Sequence, residues 1–168
     1  MNIIACCDMN CAIGYKNELL FNIPQDKKYF KNQTIGKTIV MGRKTFESLP
    51  VKPLPERENI VLSKNTSFSY EGVTVFHNTV SLFSYLRELN TEDIFIAGGE
   101  EIYSMMLPYC DTALITQVFE QKKADKYILD FENSDEWVSE EKSEIFEYKG
   151  IKFRFLRYRH TVVKNIIL

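Results

Sequence analysis

The sequence has no apolar run near the roughly 20 residues that a membrane-crossing helix needs, which argues against a helical membrane protein. Its first residues, "MNIIACCDMN", lack the charged start and long apolar stretch of a secretory signal. The expected location is therefore cytoplasmic. An excess of charge of either sign is also lacking: 21 Lys and Arg nearly balance 23 Asp and Glu, for a formal net charge of −2. Bulk electrostatics thus predicts neither nucleic acid nor an anionic membrane surface as a partner, and any anion site must be a local cluster. Histidine occurs only as His77 and His160, far from most of the cysteines. Cys6, Cys7, Cys11 and Cys110 show none of the paired ligand spacings of a zinc site, so no metal is expected. Cys6 and Cys7, adjacent on an apolar strand, would point to opposite faces as small thiols in a reducing compartment. There is no GxGxxG fingerprint, no phosphate-loop lysine, no internal repeat and no low-complexity linker.

What remains is a globular balance, 45% hydrophobic and 26% charged over 168 residues, enough for one domain with a sizeable core. Short runs rich in Ile and Val read as strands: Asn2–Cys7, Lys37–Gly42, Asn59–Ser63, Val73–Phe76, Asp93–Gly99 and Thr112–Val118. Several are apolar throughout, the pattern of strands covered on both faces. Helical patterns fall between them at Ile23–Gln33, Arg43–Leu49, Val80–Leu89 and Glu100–Leu107, with Val80, Phe83, Leu86 and Leu89 as the clearest stripe. Ser143–His160 reads as an antiparallel hairpin around Lys149–Gly150. The expectation is a single-domain α/β fold over residues 1–160. It has a mostly parallel central sheet, helices on both faces and a C-terminal antiparallel hairpin, followed by a tail at 161–168.

One short segment, "FNIPQDKKYFKNQ", places Asp26 in the first turn of a helix, on the face of Tyr29 and Phe30. Asn22 and Gln25 resemble a capping box, and an acid in a first turn suits the helix dipole, so Asp26 has a purely structural reading. Its functional reading is a carboxylate desolvated by Phe21, Tyr29 and Phe30 until a cationic or amidine-like partner arrives. Further along, "IAGGEEIY" puts Gly98 and Gly99 between a strand and a helix, where backbone can approach a phosphate. Glycines mark ordinary turns too, and Glu100 and Glu101 sit awkwardly beside a phosphate. "VMGRKTFESL" ends a strand at Gly42 and opens a helix with Arg43, Lys44 and Thr45, while "VLSKN" ends another with Ser63 and Lys64. In an open α/β sheet such strand ends share one edge. Each cation alone reads as solvated surface; together they favour a phosphorylated cofactor. Arg57, in the proline-stiffened "PLPERENIVLS", suits a carboxylate held bidentately, or is simply a surface arginine. Asp8–Pro24 is a long connection of the kind that often forms a lid.

Read in order, "IGYKNELLFNIPQDKKYFK", "VMGRKTFESLP", "PLPERENIVLS", "IAGGEEIY" and "ITQV" resemble dihydrofolate reductase of the bacterial chromosomal type, over about residues 1–160. The resemblance implies NADPH-dependent reduction of 7,8-dihydrofolate to tetrahydrofolate by a monomer that antifolates would inhibit. It puts Asp26, Phe21 and Leu19 at the catalytic centre. Cys6, Lys27, Phe30, Leu49, Leu54, Arg57, Ala97 and Thr116 would join Asp26 around the substrate, with Arg57 on the glutamate carboxylate and Thr116 supporting Asp26. For the cofactor it implies Cys6 and Ile13 at the nicotinamide, and Gly14 to Leu20 as a mobile loop over it, with Gly14, Asn17 and Leu19 at the cofactor. Arg43, Ser63 and Lys64 would hold the adenosine 2′-phosphate. Lys44, Thr45, Gly98 and Gly99 would cradle the pyrophosphate, and Gly42, Leu62, Glu100, Glu101, Ile102 and Tyr103 would also bind the cofactor. Phe21 stands where bacterial members usually carry tryptophan, Lys27 replaces an apolar residue, and Ala97 replaces a larger one. Other readings are the pyrimidine reductase of riboflavin synthesis, or a catalytically silent nucleotide-binding module.

Overall fold

The computed structural model describes residues 1–166. Its main sheet is built on β1 (Asn2–Cys7), β4 (Thr38–Gly42), β5 (Glu58–Leu62), β6 (Val73–Phe76), β7 (Ile94–Ile96) and β8 (Thr112–Val118), all mutually parallel. β12 (Ile151–His160) runs antiparallel to β8. It in turn pairs with β10 (Trp137–Lys142) and β11 (Phe146–Tyr148). The order across the sheet is β10-β12-β8-β1-β7-β4-β5-β6. Neighbouring side chains on each parallel strand enter different cores, which is why these strands read as unbroken apolar runs. Ile3, Val40, Ile60, Ile94 and Ile96 pack into one cluster, with Leu82, Leu86 and Met106 from the helices. Ile4, Ile39, Met41, Val61 and Phe95 pack into the other with Phe46. Each fully buried aliphatic side chain contributes about 1.5–3 kcal/mol by leaving water.

β7 is shorter than the Asp93–Gly99 run suggests. Its register ends with Ile96 opposite Ile3 and Val40, whereas β1 continues to Cys7 and β4 to Gly42. This leaves a notch at the C-terminal edge of the sheet. The chain after β7 stays tied to β4, with Ala97 N–H donating to Val40 O at 2.9 Å and Gly42 N–H to Gly98 O at 2.8 Å. Both glycines are therefore held at the notch.

The helices are α1 (Pro24–Thr34), α2 (Arg43–Ser48), α3 (Thr79–Leu86) and α4 (Glu100–Met106). No capping box opens α1: Ile23 is the N-cap and no side chain caps it. Asn22 lies one residue outside, and Pro24 supplies a preset φ where a helix needs no N–H. On α3 the expected stripe holds for three of its four residues: Leu86 is buried, and Phe83 and Leu89 pack against the same core. Val80 is the exception: Asn78 caps the helix through Ser81 N–H, Val80 lies in the first turn at 62% exposed, and Leu82 is buried instead.

Beyond the main sheet lies a second, three-stranded sheet that the sequence did not reveal. It joins β2 (Ala12–Tyr15), β3 (Glu18–Leu19) and β9 (Lys126–Tyr127) in the order β3-β2-β9. The segment read as a lid is thus a hairpin, Tyr15 opposite Glu18, turning on Lys16 (φ 51°) and Asn17 (φ 65°). Two successive left-handed residues form the twist-matched hairpin turn, here without glycine. At the other end, Thr161 N–H donates to Glu136 O and Lys164 N–H to Pro108 O, each at 2.8 Å. The last two residues of the expected 161–168 tail lie outside the described residues.

Candidate active site

Three side chains converge beyond the end of β7. Cys6 on β1 is paired in register with Thr116 on β8, which is buried. Asp26, in the first turn of α1, lies against both. Burial pushes its carboxyl above the usual range, while a hydrogen bond with the Thr116 side chain and the charge of Lys27 pull the other way. The Cys6 thiol is pushed well up by burial, and further by the Asp26 charge. Desolvation outweighs the compensation, so Asp26 is a carboxylate short of partners.

The aromatic setting of Asp26 comes from two directions. Tyr29 stacks on Phe155 with ring centroids 4.3 Å apart, and Phe155 is the β12 partner of Thr116. Phe30, Leu49, Leu54 and Ala97 pack together against the core cluster around Phe46. Asn59 fixes Leu54 by accepting its N–H and donating to its carbonyl, both at 2.9 Å. Arg57 stands at the end of this wall, its guanidinium 6.0 Å from the Phe30 ring. It donates to Thr34 Oγ1 at 3.1 Å and to Pro55 O at 3.0 Å. Phe21 is buried in a separate cluster, with the Lys122 ammonium 4.5 Å above its ring.

A cavity of about 500 Å³ opens along the notch. Cys6, Ile13, Gly14, Asn17 and Leu19 line its β1 and hairpin side. Gly42, Arg43, Lys44, Thr45, Leu62, Ser63 and Lys64 line the β4 and β5 side. Ala97, Gly98, Gly99, Glu100, Glu101, Ile102 and Tyr103 form its floor. Every residue that the family resemblance assigns to the cofactor therefore lies on one cavity. Asp26, Phe30, Leu49, Leu54, Arg57 and Thr116 lie outside its lining, and Cys6 and Ala97 are the substrate-side residues it includes. Lys27 is exposed and lines a second, outer cavity of about 600 Å³, together with Phe21, the hairpin and α2.

Close approach favours glycine along the floor. A Cβ on Gly98 (φ 107°) would lie 3.2 Å from the Tyr103 ring, and one on Gly99 would lie 3.3 Å from Thr45 Oγ1. A Cβ on Gly42 would meet Ile102 at 3.2 Å. Beneath them, the buried Tyr103 hydroxyl donates to Ile4 O at 2.7 Å. Such a cradle, rimmed by Arg43, Lys44 and Lys64, fits a phosphorylated dinucleotide. Arg43 is already paired, its guanidinium 2.8 Å from Glu47 one turn along α2. Ser63 Oγ accepts Asn65 N–H at 3.2 Å, and its carbonyl meets His77 Nδ1 at 2.9 Å.

Glu18, within the expected Gly14 to Leu20 loop, also lines the cavity, as do Ser48, Asn65 and Lys126, which sequence reading missed. Ser48 follows Lys44 by one helical turn and Asn65 follows Lys64, so both had a positional signal. Lys126 had none, because β9 brings it there by pairing with Gly14. Among the described residues no cluster of three or more metal-ligating side chains occurs.

Comparison with known proteins gives a consistent result. The model of the family described as dihydrofolate reductase matches residues 1–160. The dihydrofolate reductase of Neisseria gonorrhoeae is 35% identical over 161 residues, covering 94% of this chain and 96% of that one. That of Bacillus subtilis is 33% identical over 160 residues, covering 94% and 93%. Among solved structures, dihydrofolate reductase from Enterococcus faecalis, complexed with NADP(H) and RAB-propyl, superposes with a TM-score of 0.80. It is 28% identical and covers 95% of each chain.

Proposed function

This chain belongs to the dihydrofolate reductase family, and we propose that Asp26 is the group on which it orients and polarises the pterin of its substrate. The reaction is the NADPH-dependent reduction of 7,8-dihydrofolate to 5,6,7,8-tetrahydrofolate. Bound NADPH supplies a hydride to pterin C6, and N5 takes a proton. All else falls to the protein. Asp26 accepts hydrogen bonds from the amino-pyrimidine edge, and Thr116 holds the carboxylate in place. A carboxylate kept short of water gains more from that edge than a solvated one would. Phe30, Leu49 and Leu54 guide the aminobenzoyl part outward to Arg57, whose guanidinium suits the glutamate carboxylate. Cys6, next to both Asp26 and the notch, marks where pterin and nicotinamide meet. The β2–β3 hairpin, with Leu19 at its edge, covers that meeting point and excludes bulk water.

The observation that carries this reading is the desolvated Asp26 carboxylate beside Thr116, one strand from a glycine-floored, cation-rimmed cavity. A silent nucleotide-binding module would need the cavity but not Asp26, Thr116 and Arg57. The same triad argues against a riboflavin-type pyrimidine reductase, whose substrate has no glutamate tail. We also infer a domain over residues 1–160 with a short tail, working as a monomer in the cytoplasm and open to antifolates at the Asp26 pocket. The deciding experiment follows NADPH absorbance with dihydrofolate, beside NADH and beside Asp26→Asn. Turnover in the wild type with NADPH preferred, and its near loss in Asp26→Asn, is the expected result. Undiminished turnover in Asp26→Asn would overturn the role given to Asp26.

A further inference from the structure

Two carboxylates, Glu100 and Glu101, follow the glycine turn where the reading above expects a pyrophosphate, an arrangement that repels the ligand unless a cation intervenes. The cation paired with Glu100 is Lys126. Its ammonium lies 3.4 Å from Glu100 Oε2, and both residues line the cavity. Glu100 Oε1 also accepts the Tyr127 N–H at 3.0 Å, so one carboxylate holds two successive residues of β9. β9 reaches this place through the hairpin: Lys126 is paired with Gly14, and Asp125 N–H donates to Gly14 O at 3.1 Å. Gly14 lies close to both neighbouring strands, since a Cβ there would lie 3.2 Å from Glu18 O and 3.7 Å from Lys126 Cβ. The lysine stem is thereby packed against the lid and its charged end directed to the cavity wall.

We propose that Lys126 is a binding residue for the cofactor's pyrophosphate, and that Glu100 is the residue that positions it. The assignment rests on the reading that this cavity holds NADPH. In the free protein the ammonium neutralises Glu100. With a dinucleotide bound it stands between the carboxylate and the pyrophosphate and is shared by both. The contact is to a group that NADPH and NADH have in common, so Lys126 contributes affinity without selecting between them. Arg43 and Lys64, on the opposite wall, would make that selection.

The test is calorimetric titration of the full chain with NADPH and with NADH. Lys126→Met should weaken both by the same factor, roughly fivefold for one partly screened charge contact. Lys126→Arg should restore most of the loss, and added salt should narrow the gap between wild type and Lys126→Met. Arg43→Ala, by contrast, should weaken NADPH alone. Glu100→Ala, which frees both Lys126 and the Tyr127 N–H, should weaken binding. Glu100→Gln keeps an acceptor for that N–H and should bind more tightly than Glu100→Ala. Wild-type protein that binds neither dinucleotide would overturn the cavity reading itself. Wild type that binds both, with Lys126→Met unchanged or weakened for NADPH alone, would overturn the assignment of Lys126 only. Equal losses in Glu100→Gln and Glu100→Ala would overturn the positioning role of Glu100.

Discussion

Tyr103 offers the sharpest test of how the cavity floor is held. Its side chain is buried, and burial keeps the hydroxyl protonated. That hydroxyl donates to Ile4 O at 2.7 Å, just past the point where β7 stops pairing with β1. The ring lies under Gly98, near enough that a Cβ there would sit 3.2–3.4 Å from three of its atoms. Tyr103→Phe keeps the ring and removes only the donor, leaving the Ile4 carbonyl without it. A buried acceptor that loses its partner costs about 1–3 kcal/mol, and the small size of the deletion places this one near 1.5 kcal/mol. For a chain of this length each kcal/mol moves the melting temperature by about 2–4 °C, so a fall of roughly 3–6 °C is expected. Urea titration should show a lower midpoint with an unchanged slope, because the surface exposed on unfolding is the same. NADPH affinity, which depends on the retained ring, should stay within about threefold of wild type. Tyr103→Ala removes the support as well, at about 3–5 kcal/mol, and should weaken NADPH binding. Unchanged stability in Tyr103→Phe together with a large loss of NADPH affinity would refute the reasoning, for the hydroxyl would then act on the ligand.

Other consequences are equally direct. The Asp26 pKa is raised in the folded state, so its contribution to stability is fully present below its unfolded pKa and is lost as pH rises through the folded value. Asp26→Asn should therefore raise the melting temperature of the ligand-free protein at neutral pH, while lowering turnover by on the order of a hundredfold or more. The gain should vanish in acid, and melting curves across pH would check it. Gly99→Ala sets a methyl against Thr45 Oγ1 and should weaken NADPH at least tenfold with dihydrofolate affinity little changed, both read by ligand titration. Gly98→Ala should be worse, because its φ of 107° adds backbone strain to the clash with Tyr103. Leu86→Ala, deep under α3 and away from the cavity, should cost about 2–5 kcal/mol by chemical denaturation and leave the Michaelis constants unaltered.

The parallel strands were legible because both faces of the sheet are covered. Ile39, Val40 and Met41 are buried alike although they point alternately to two cores. The start of α1 was legible from Pro24, and with it the unusual place of Asp26. The capping box was a false signal: an Asn–Gln pair at the right spacing means little when proline already opens the helix. The stripe on α3 was legible at Phe83, Leu86 and Leu89 and failed at Val80, where the helix has only just begun after the Asn78 cap and Leu82 is the buried residue. β10 was invisible because it is a bulged edge strand, with Glu140, Glu141 and Lys142 exposed to solvent. The small sheet was hidden for a deeper reason. Its strands are two to four residues long, its turn carries Lys16 and Asn17 instead of glycine, and β9 lies far from β2 in the chain. Pairing of this kind is stabilised by tertiary contacts such as Glu100 with Tyr127, which local patterns do not encode.

The early end of β7 organises the whole site. Had β7 run as far as β1 and β4, its backbone would fill the edge where the two binding regions meet. Stopping opposite Ile3 and Val40, it releases Ala97–Gly99 to fold across the gap, held by Val40 O and Gly42 N–H. The same gap leaves the upper part of β1 facing an open space instead of a strand, with Cys6 at its rim and Thr116 beside it. One omission in the ladder thus creates both the glycine floor and the lateral opening beside Asp26, the two places that the proposed function gives to its two ligands. With a dinucleotide on that floor and a pterin against Asp26, as proposed, Cys6 and Ala97 would be shared by the two walls. On that proposal the sheet itself would bring the reacting ends together, and the lid hairpin would need only to keep water from them.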